Sequence, residues 1–183
     1  MSMSMQEHYR TQVVSVLKER FGYKNVMAVP KIVKVVLNIG VPSGVKEQKA
    51  LQVMSETLRT IAGQNPVARP AKKSISNFKV RKGQTVGFKV TLRGKRMYDF
   101  LEKFVRLTLP RVRDFRGLDS KMVDRRGSFS IGFREAVAFP EVKAGELEHQ
   151  HGLEVTVVTT AKKREEGLAL LKLMGFPFRE SNK

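Results

Sequence analysis

The chain has 183 residues with 35 Lys+Arg against 17 Asp+Glu, a formal net charge of +18 and a pI near 10.5. Its 41% hydrophobic residues suffice for a packed core, and the absence of cysteine excludes a disulfide scaffold, Cys-ligated zinc, an iron–sulfur cluster and a thiol nucleophile. Apolar runs stop at four residues and the start lacks a signal-peptide pattern, so the expectation is a soluble cytoplasmic protein whose partner is a polyanion, nucleic acid before an anionic membrane surface.

In chain order, Glu7 to Phe21 sets Tyr9, Val13, Val16, Leu17 and Phe21 three and four residues apart, which predicts a helix ending at Gly22. Lys31 to Ile39 alternates, with Val33, Val35, Leu37 and Ile39 on one side and Ile32, Lys34, Val36 and Asn38 on the other, as a half-buried strand does. Leu51, Met54, Leu58 and Ile61 predict a second helix stopped at Gly63, followed by the Asn65-Pro66 breaker. Gln84 to Arg93 alternates most cleanly: Val86, Phe88, Val90 and Leu92 face the core, and Thr85, Gly87, Lys89, Thr91 and Arg93 face away. A third helix is predicted from Lys95 to Leu107, stopped by Pro110. Strands are predicted at Phe129 to Phe133, Ala136 to Phe139 and Leu153 to Thr159, and a last helix at Glu165 to Met174. The order implies a single-domain α+β fold over residues 1–183, an antiparallel sheet with helices packed on one face. Arg111 to Ser128 shows no period, and loops that long are usually functional or mobile.

Charge is unevenly distributed. Between Thr57 and Tyr98 no acidic residue occurs, while Arg59, Arg69, Lys72, Lys73, Lys79, Arg81, Lys82, Lys89, Arg93, Lys95 and Arg96 are cationic. Like charges at that density repel unless a counter-charge arrives, so phosphates are expected beside the basic 57–98 segment. From Glu135 to Glu154 the balance reverses, with Glu135, Glu141, Glu146, Glu148 and Glu154 against Lys143 alone.

Catalytic chemistry has little to work with. Three histidines and no G-x-S-x-G turn leave no nucleophilic triad. His149 and His151 have the spacing of two metal ligands on a strand, but the preferred reading is two exposed loop histidines. Gly94-Lys95 fails as a phosphate loop because Arg96 stands where Ser or Thr should hold magnesium. No cofactor, metal or catalytic residue is therefore expected. The polar sides of the two alternating strands offer instead Lys34 and Asn38 beside Lys89, Thr91 and Arg93, a set that can donate to phosphates and ribose hydroxyls and read RNA by shape. An ordinary solvated sheet face is the competing explanation. The run from Lys72 to Gly83 mixes cations, hydroxyls and amides with one aromatic, Phe78, which either stacks on a base or anchors the loop to the core.

At these residues the sequence resembles the bacterial family of large-subunit ribosomal protein five, almost end to end. The resemblance is carried by FGYKNVMAVPKIVKVVLNIGV (21–41), PAKKSISNFKVRKGQTVGFKVTLRGKRMYDFLEK (70–103), LPRVRDFRGL (109–118) and VTTAKKREEGLALLKLMGFPFRE (158–180). It implies a non-catalytic structural protein of the central protuberance that attaches 5S rRNA through its sheet, with Lys34, Asn38, Gln64, Lys89, Thr91 and Arg93 as contacts and Lys72 joining the rRNA-binding set. Ser74, Ser76, Asn77, Phe78, Lys79, Arg81 and Lys82 then resemble the projection that reaches the elbow of P-site tRNA. Glu135, Glu141, Glu146 and Glu148 resemble the surface that bridges to a basic protein of the small-subunit head. A 23S-type rRNA and other ribosomal proteins of the central protuberance complete the implied partners, with no membrane. Three departures stand out: Pro42 for a second glycine after the first strand, Arg125 for a glycine, and Lys163-Arg164 for a Thr with an acidic or amide residue at the last helix. They remove a donor from a turn, disfavour a positive φ, and set cations at a helix N-terminus. Two other classes compete. An RNA-modifying enzyme would reveal itself by turnover that a carboxylate mutation abolishes, and an architectural DNA binder by duplex DNA displacing 5S RNA.

Overall fold

The computed structural model describes residues 3–42, 48–142 and 151–179. Five strands, β1 (Ile32–Gly40), β2 (Val67–Pro70), β3 (Thr85–Leu92), β4 (Phe129–Phe133) and β5 (Leu153–Thr159), form one antiparallel sheet in the order β2-β3-β1-β5-β4. Four helical stretches accompany it: α1 (residues 5–21), α2 (Gln48–Ala62), α3 (residues 94–111) and α4 (Arg164–Leu173). The fold is α+β, as the sequence implies. The chain divides into two compact units, one of Met1–Val35, Leu92–Ile131 and Thr156–Lys183, the other of Val36–Thr91 and Gly132–Val155.

In the first unit, α1 begins earlier than its apolar stripe suggests because Ser4 caps it. Ser4 Oγ accepts from Glu7 N at 3.3 Å and Glu7 Oε2 accepts from Ser4 N at 3.1 Å, a reciprocal box contributing about 1 kcal/mol. Val13 and Leu17 are buried as predicted, whereas Val16 is exposed, one position off the stripe. α3 continues through Pro110 to Arg111 rather than ending before it. A π-turn at Phe104–Thr108 re-phases the backbone so that Pro110 sits in the opening of a new α-turn, Leu109–Arg111, where its missing N–H costs little. The core is aromatic: Phe104 stacks on Phe100 at 5.8 Å, and Phe129 meets Phe176 edge-on at 5.6 Å. The aperiodic 111–128 stretch is tied down, Leu118 N donating to Pro177 O at 2.7 Å and Arg179 N to Leu118 O at 2.9 Å.

In the second unit, α2 buries Ala50, Met54, Leu58 and Ile61, and Leu37, Ile39, Phe88 and Val90 are buried from the strands. Each fully buried aliphatic side chain contributes roughly 1.5–3 kcal/mol. The strand predicted at Ala136 to Phe139 is instead a 3-10 turn, Ala136–Ala138, with Phe139 folded against Phe133 at 5.5 Å. Four apolar residues in a row do not distinguish a strand from a buried turn. β2 has no counterpart among the predicted elements, because a four-residue strand ending in proline gives no alternation to read. At the N-terminal end of β1 the predicted sides exchange: Ile32 is buried and Val33 is exposed, while Val35 onward follows the expected alternation.

Two close approaches demand glycine. A Cβ on Gly87 of β3 would stand 2.7 Å from Ile39 O of β1. A Cβ on Gly167 of α4 would overlap the backbone of Gly127. Gly167→Ala should therefore destabilise the fold by about 2 kcal/mol, lowering the melting temperature by roughly 4–8 °C in a circular-dichroism melt; an unchanged melt would show that the contact relaxes freely.

The chain's three tyrosines share one property. Burial, with Tyr98 alongside, pushes Tyr9 up to about 12, and burial with the Glu166 carboxylate beside it pushes Tyr23 up to about 12. Burial also raises Tyr98, against the opposing charge of Arg10. A raised phenol favours the folded neutral form. Its stabilising contribution is complete below the ordinary value of 10.0 and is lost as pH climbs through 10 toward 12. Tyrosinate absorbance should accordingly lag behind free tyrosine and rise together with alkaline unfolding, and an ordinary midpoint for all three would contradict the burial.

Candidate nucleic-acid interface

In the second unit, strand alternation sets the polar surface. Leu37, Ile39, Phe88 and Val90 go to the core, which turns Asn38 of β1 and Lys89 and Thr91 of β3 outward, each half-buried along its stem. β2 pairs antiparallel with β3, Val67 opposite Lys89 and Arg69 opposite Gly87, so Val67 and Arg69 share the side of Lys89. All four residues of β2 are exposed, and no Cβ at Gly87 stands beneath Arg69. Arg69 thus joins the sheet's polar side although sequence reading assigned it no site; a cation in an acid-free stretch was the available signal. Gln64 follows α2, half-buried. In the first unit, Lys34 of β1 is half-buried, and Arg93, which caps α3 with an extended backbone, is exposed.

The 71–84 segment is a built hairpin. Ala71 N donates to Gln84 O at 2.8 Å and Gly83 N to Ala71 O at 2.9 Å, continuing the β2–β3 ladder. Nearer the tip, Ile75 and Val80 exchange both backbone bonds, at 2.9 and 3.1 Å, around a 3-10 turn at Ser76–Phe78 closed by Lys79 with φ 52°. Side chains lock the arms: Ser74 Oγ accepts from Lys82 N at 2.9 Å and Gln84 Oε1 from Arg81 N at 3.2 Å. Lys72, Lys73, Lys79, Arg81 and Lys82 are all exposed. Phe78 is 59% exposed and Ile75 48%, and with Val41, Pro42, Val80 and Val86 they line a mainly apolar groove of about 530 Å³. Phe78 is thus one wall of a groove, with most of its ring accessible for stacking.

Of the acidic set, Glu135 is exposed at the start of the Ala136–Ala138 turn and Glu141 is half-buried. Glu146, Glu148 and His149 lie outside the described residues. His151 is 2% exposed, so it is no exposed loop histidine; its imidazole is packed at the start of β5. Among the described residues no group of three or more His, Cys, Asp or Glu is placed to hold a metal ion, and no helix is long and apolar enough to cross a membrane. Arg125 does not take a positive φ; the turn instead places Gly127 at φ 76°.

Cations, amides and hydroxyls on a rigid sheet and hairpin, with no carboxylate within the stretch, form a surface that fits phosphate groups, the equipment of a structural ribonucleoprotein component rather than an enzyme. Comparison with known proteins narrows the class. The family profile described as "Ribosomal protein L5" matches residues 25–81, and the profile for the C-terminus of the same ribosomal family matches residues 85–178. Proteins named large ribosomal subunit protein uL5 are 49% identical in Fervidobacterium nodosum (96% of each chain), 50% in Carboxydothermus hydrogenoformans (95% of this chain, 97% of the relative) and 46% in Colwellia psychrerythraea (94% and 95%). The chain belongs to the uL5 family of large-subunit ribosomal proteins. It is a structural ribosomal constituent and not an enzyme.

The exposed aromatic has a measurable consequence. Phe78→Ala should leave the melting temperature within about 2 °C, since more than half of the residue is exposed, as a circular-dichroism melt would show. A large stability loss would make Phe78 an anchor of the hairpin.

Proposed function

We propose that the chain, acting over residues 1–183 as one ribosomal-protein domain, attaches 5S rRNA in the central protuberance through the polar side of its sheet. Lys34, Asn38, Gln64, Lys72, Lys89, Thr91 and Arg93 make the contacts, with Arg69 of β2 added from the β2–β3 register. The supporting observation is the alternation of β1 and β3, which gives the aliphatic residues to the core and leaves Asn38, Lys89 and Thr91 accessible. Lysine and arginine neutralise phosphates and release condensed counterions, whereas Asn38, Gln64 and Thr91 suit ribose hydroxyls and base edges of the shallow groove. Selectivity then follows RNA shape.

In the same reading the Ser74 to Lys82 loop reaches the elbow of P-site tRNA, with Lys79, Arg81 and Lys82 on the backbone and Phe78 on an exposed base. The acidic 135–154 segment meets a basic protein of the small-subunit head, a complementary pairing that favours encounter and register more than affinity. A 23S-type rRNA and neighbouring proteins of the central protuberance complete the environment.

Filter binding to a 5S rRNA transcript tests the sheet contact. Lys89→Ala combined with Arg93→Ala should weaken binding about tenfold and reduce the slope of log affinity against log salt by nearly one for each lost phosphate contact. Unchanged affinity and slope would remove these residues from the interface, and equal competition by duplex DNA would remove RNA shape as the basis of recognition.

A further inference from the structure

Two turns far apart in sequence meet in the first unit. Asp124-Arg125-Arg126-Gly127 is fixed by the Asp124 carboxylate, whose Oδ1 accepts from Arg126 N at 2.9 Å and Ser128 N at 2.8 Å. Thr159 Oγ1 then donates to Gly127 O at 2.9 Å, drawing this turn to the end of β5. A Cβ on Gly127 would lie 2.7 Å from Ala161 Cβ and 3.1 Å from Lys163 O, while Gly127 also touches Gly167 of α4. With only hydrogens between the two backbones, the turn that carries Arg125 and Arg126 lies beside the Lys162-Lys163-Arg164 entry to α4.

These five cations are exposed, and two of the three nearby carboxylates already accept backbone N–H groups. Asp124 serves two backbone N–H groups, Glu166 accepts from Lys162 N at 3.0 Å and faces Tyr23, and Glu165 is solvated in the first turn of α4. Arg164 Nη2 donates to Ser120 O at 2.7 Å, which pins its guanidinium in place. Arg125, Arg126, Lys162 and Lys163 make no ion pair with any described residue. The positive end of α4 adds to the local charge, offset in part by Glu165 and Glu166 in its first turn, and an arriving anion relieves the remaining repulsion.

We propose that Arg125, Arg126, Lys162, Lys163 and Arg164 form a second phosphate-gripping site that holds the backbone of an RNA duplex. It rests on the RNA-binding reading above and uses none of the residues assigned there. RNA fits better than an acidic protein because neither turn exposes a large apolar side chain, which the centre of a protein interface requires, whereas fixed Arg and Lys side chains are the usual phosphate donors.

The test is fluorescence anisotropy of the full chain with a labelled RNA duplex of arbitrary sequence, titrated over a range of salt, alongside 5S rRNA. Arg125→Ala with Arg126→Ala and Lys163→Ala should weaken duplex binding at least tenfold and lower the salt slope by about two to three. The milder Arg125→Gln with Lys163→Gln, which keeps much of each stem, should lower the slope by nearly two with an unchanged thermal melt. Unchanged duplex affinity and slope in both variants overturns the site, as does polyglutamate displacing the duplex from wild type at equal charge. Lys89→Ala with Arg93→Ala separates the two readings. If that variant weakens 5S rRNA binding while the cluster variants change nothing, the second site alone fails; if none of the variants has any effect, the RNA-binding surface fails as well.

Discussion

A strand can bury only every second residue, and this constraint links stability to the proposed function. Val35, Leu37 and Ile39 must point into the core, so Lys34, Val36 and Asn38 cannot; Phe88, Val90 and Leu92 impose the same on Lys89 and Thr91. A slip of one residue in register would expose the aliphatic set and bury the cations unpaired, which is far costlier than losing any one contact. The polar side is therefore held in place by hydrophobic burial behind it. The Gly87 approach to Ile39 O reinforces this, because it allows the backbones of β1 and β3 to come together where a side chain would separate them.

The hairpin illustrates how a highly charged segment is kept in shape without a core of its own. Its cations are all exposed and repel one another, yet paired backbone bonds at Ile75 and Val80 and the Ser74 and Gln84 side-chain bonds hold the two arms. Pre-formed geometry of this kind lowers the ordering cost of binding. Exposed apolar surface at Ile75 and Phe78 is the accompanying liability, and it is the sort of surface that becomes favourable when a base stacks on it.

Some local features resist prediction for identifiable reasons. Proline is a helix breaker on average, but a π-turn shifts Pro110 into the opening of a fresh α-turn, and no sequence period signals that shift. The 136–139 run satisfies the strand pattern by composition, while the Phe133–Phe139 contact favours a compact turn. β2 is a strand because β3 offers a ladder to it, not because Val67-Ala68-Arg69-Pro70 prefers extension strongly. His151 has the polar neighbours of a surface residue and is buried at the start of β5.

The sequence by itself determined the class: the size and concentration of positive charge, the absence of cysteine chemistry, the alternating runs of β1 and β3, and long family-specific segments are all one-dimensional properties. Periodicity of two also assigned the polar sides of β1 from Val35 onward and of β3, since side-chain direction along a regular strand follows from backbone geometry alone, but not the exchange at Ile32 and Val33. Only the tertiary structure decided which distant residues become neighbours. Arg69 gained its place through pairing with Gly87, and the turn ending at Gly127 met the entry to α4 through a glycine-to-glycine contact that no local pattern encodes. Local propensity acts over a few residues, whereas these juxtapositions depend on how buried surfaces fit across the chain, which is settled only when the whole fold packs.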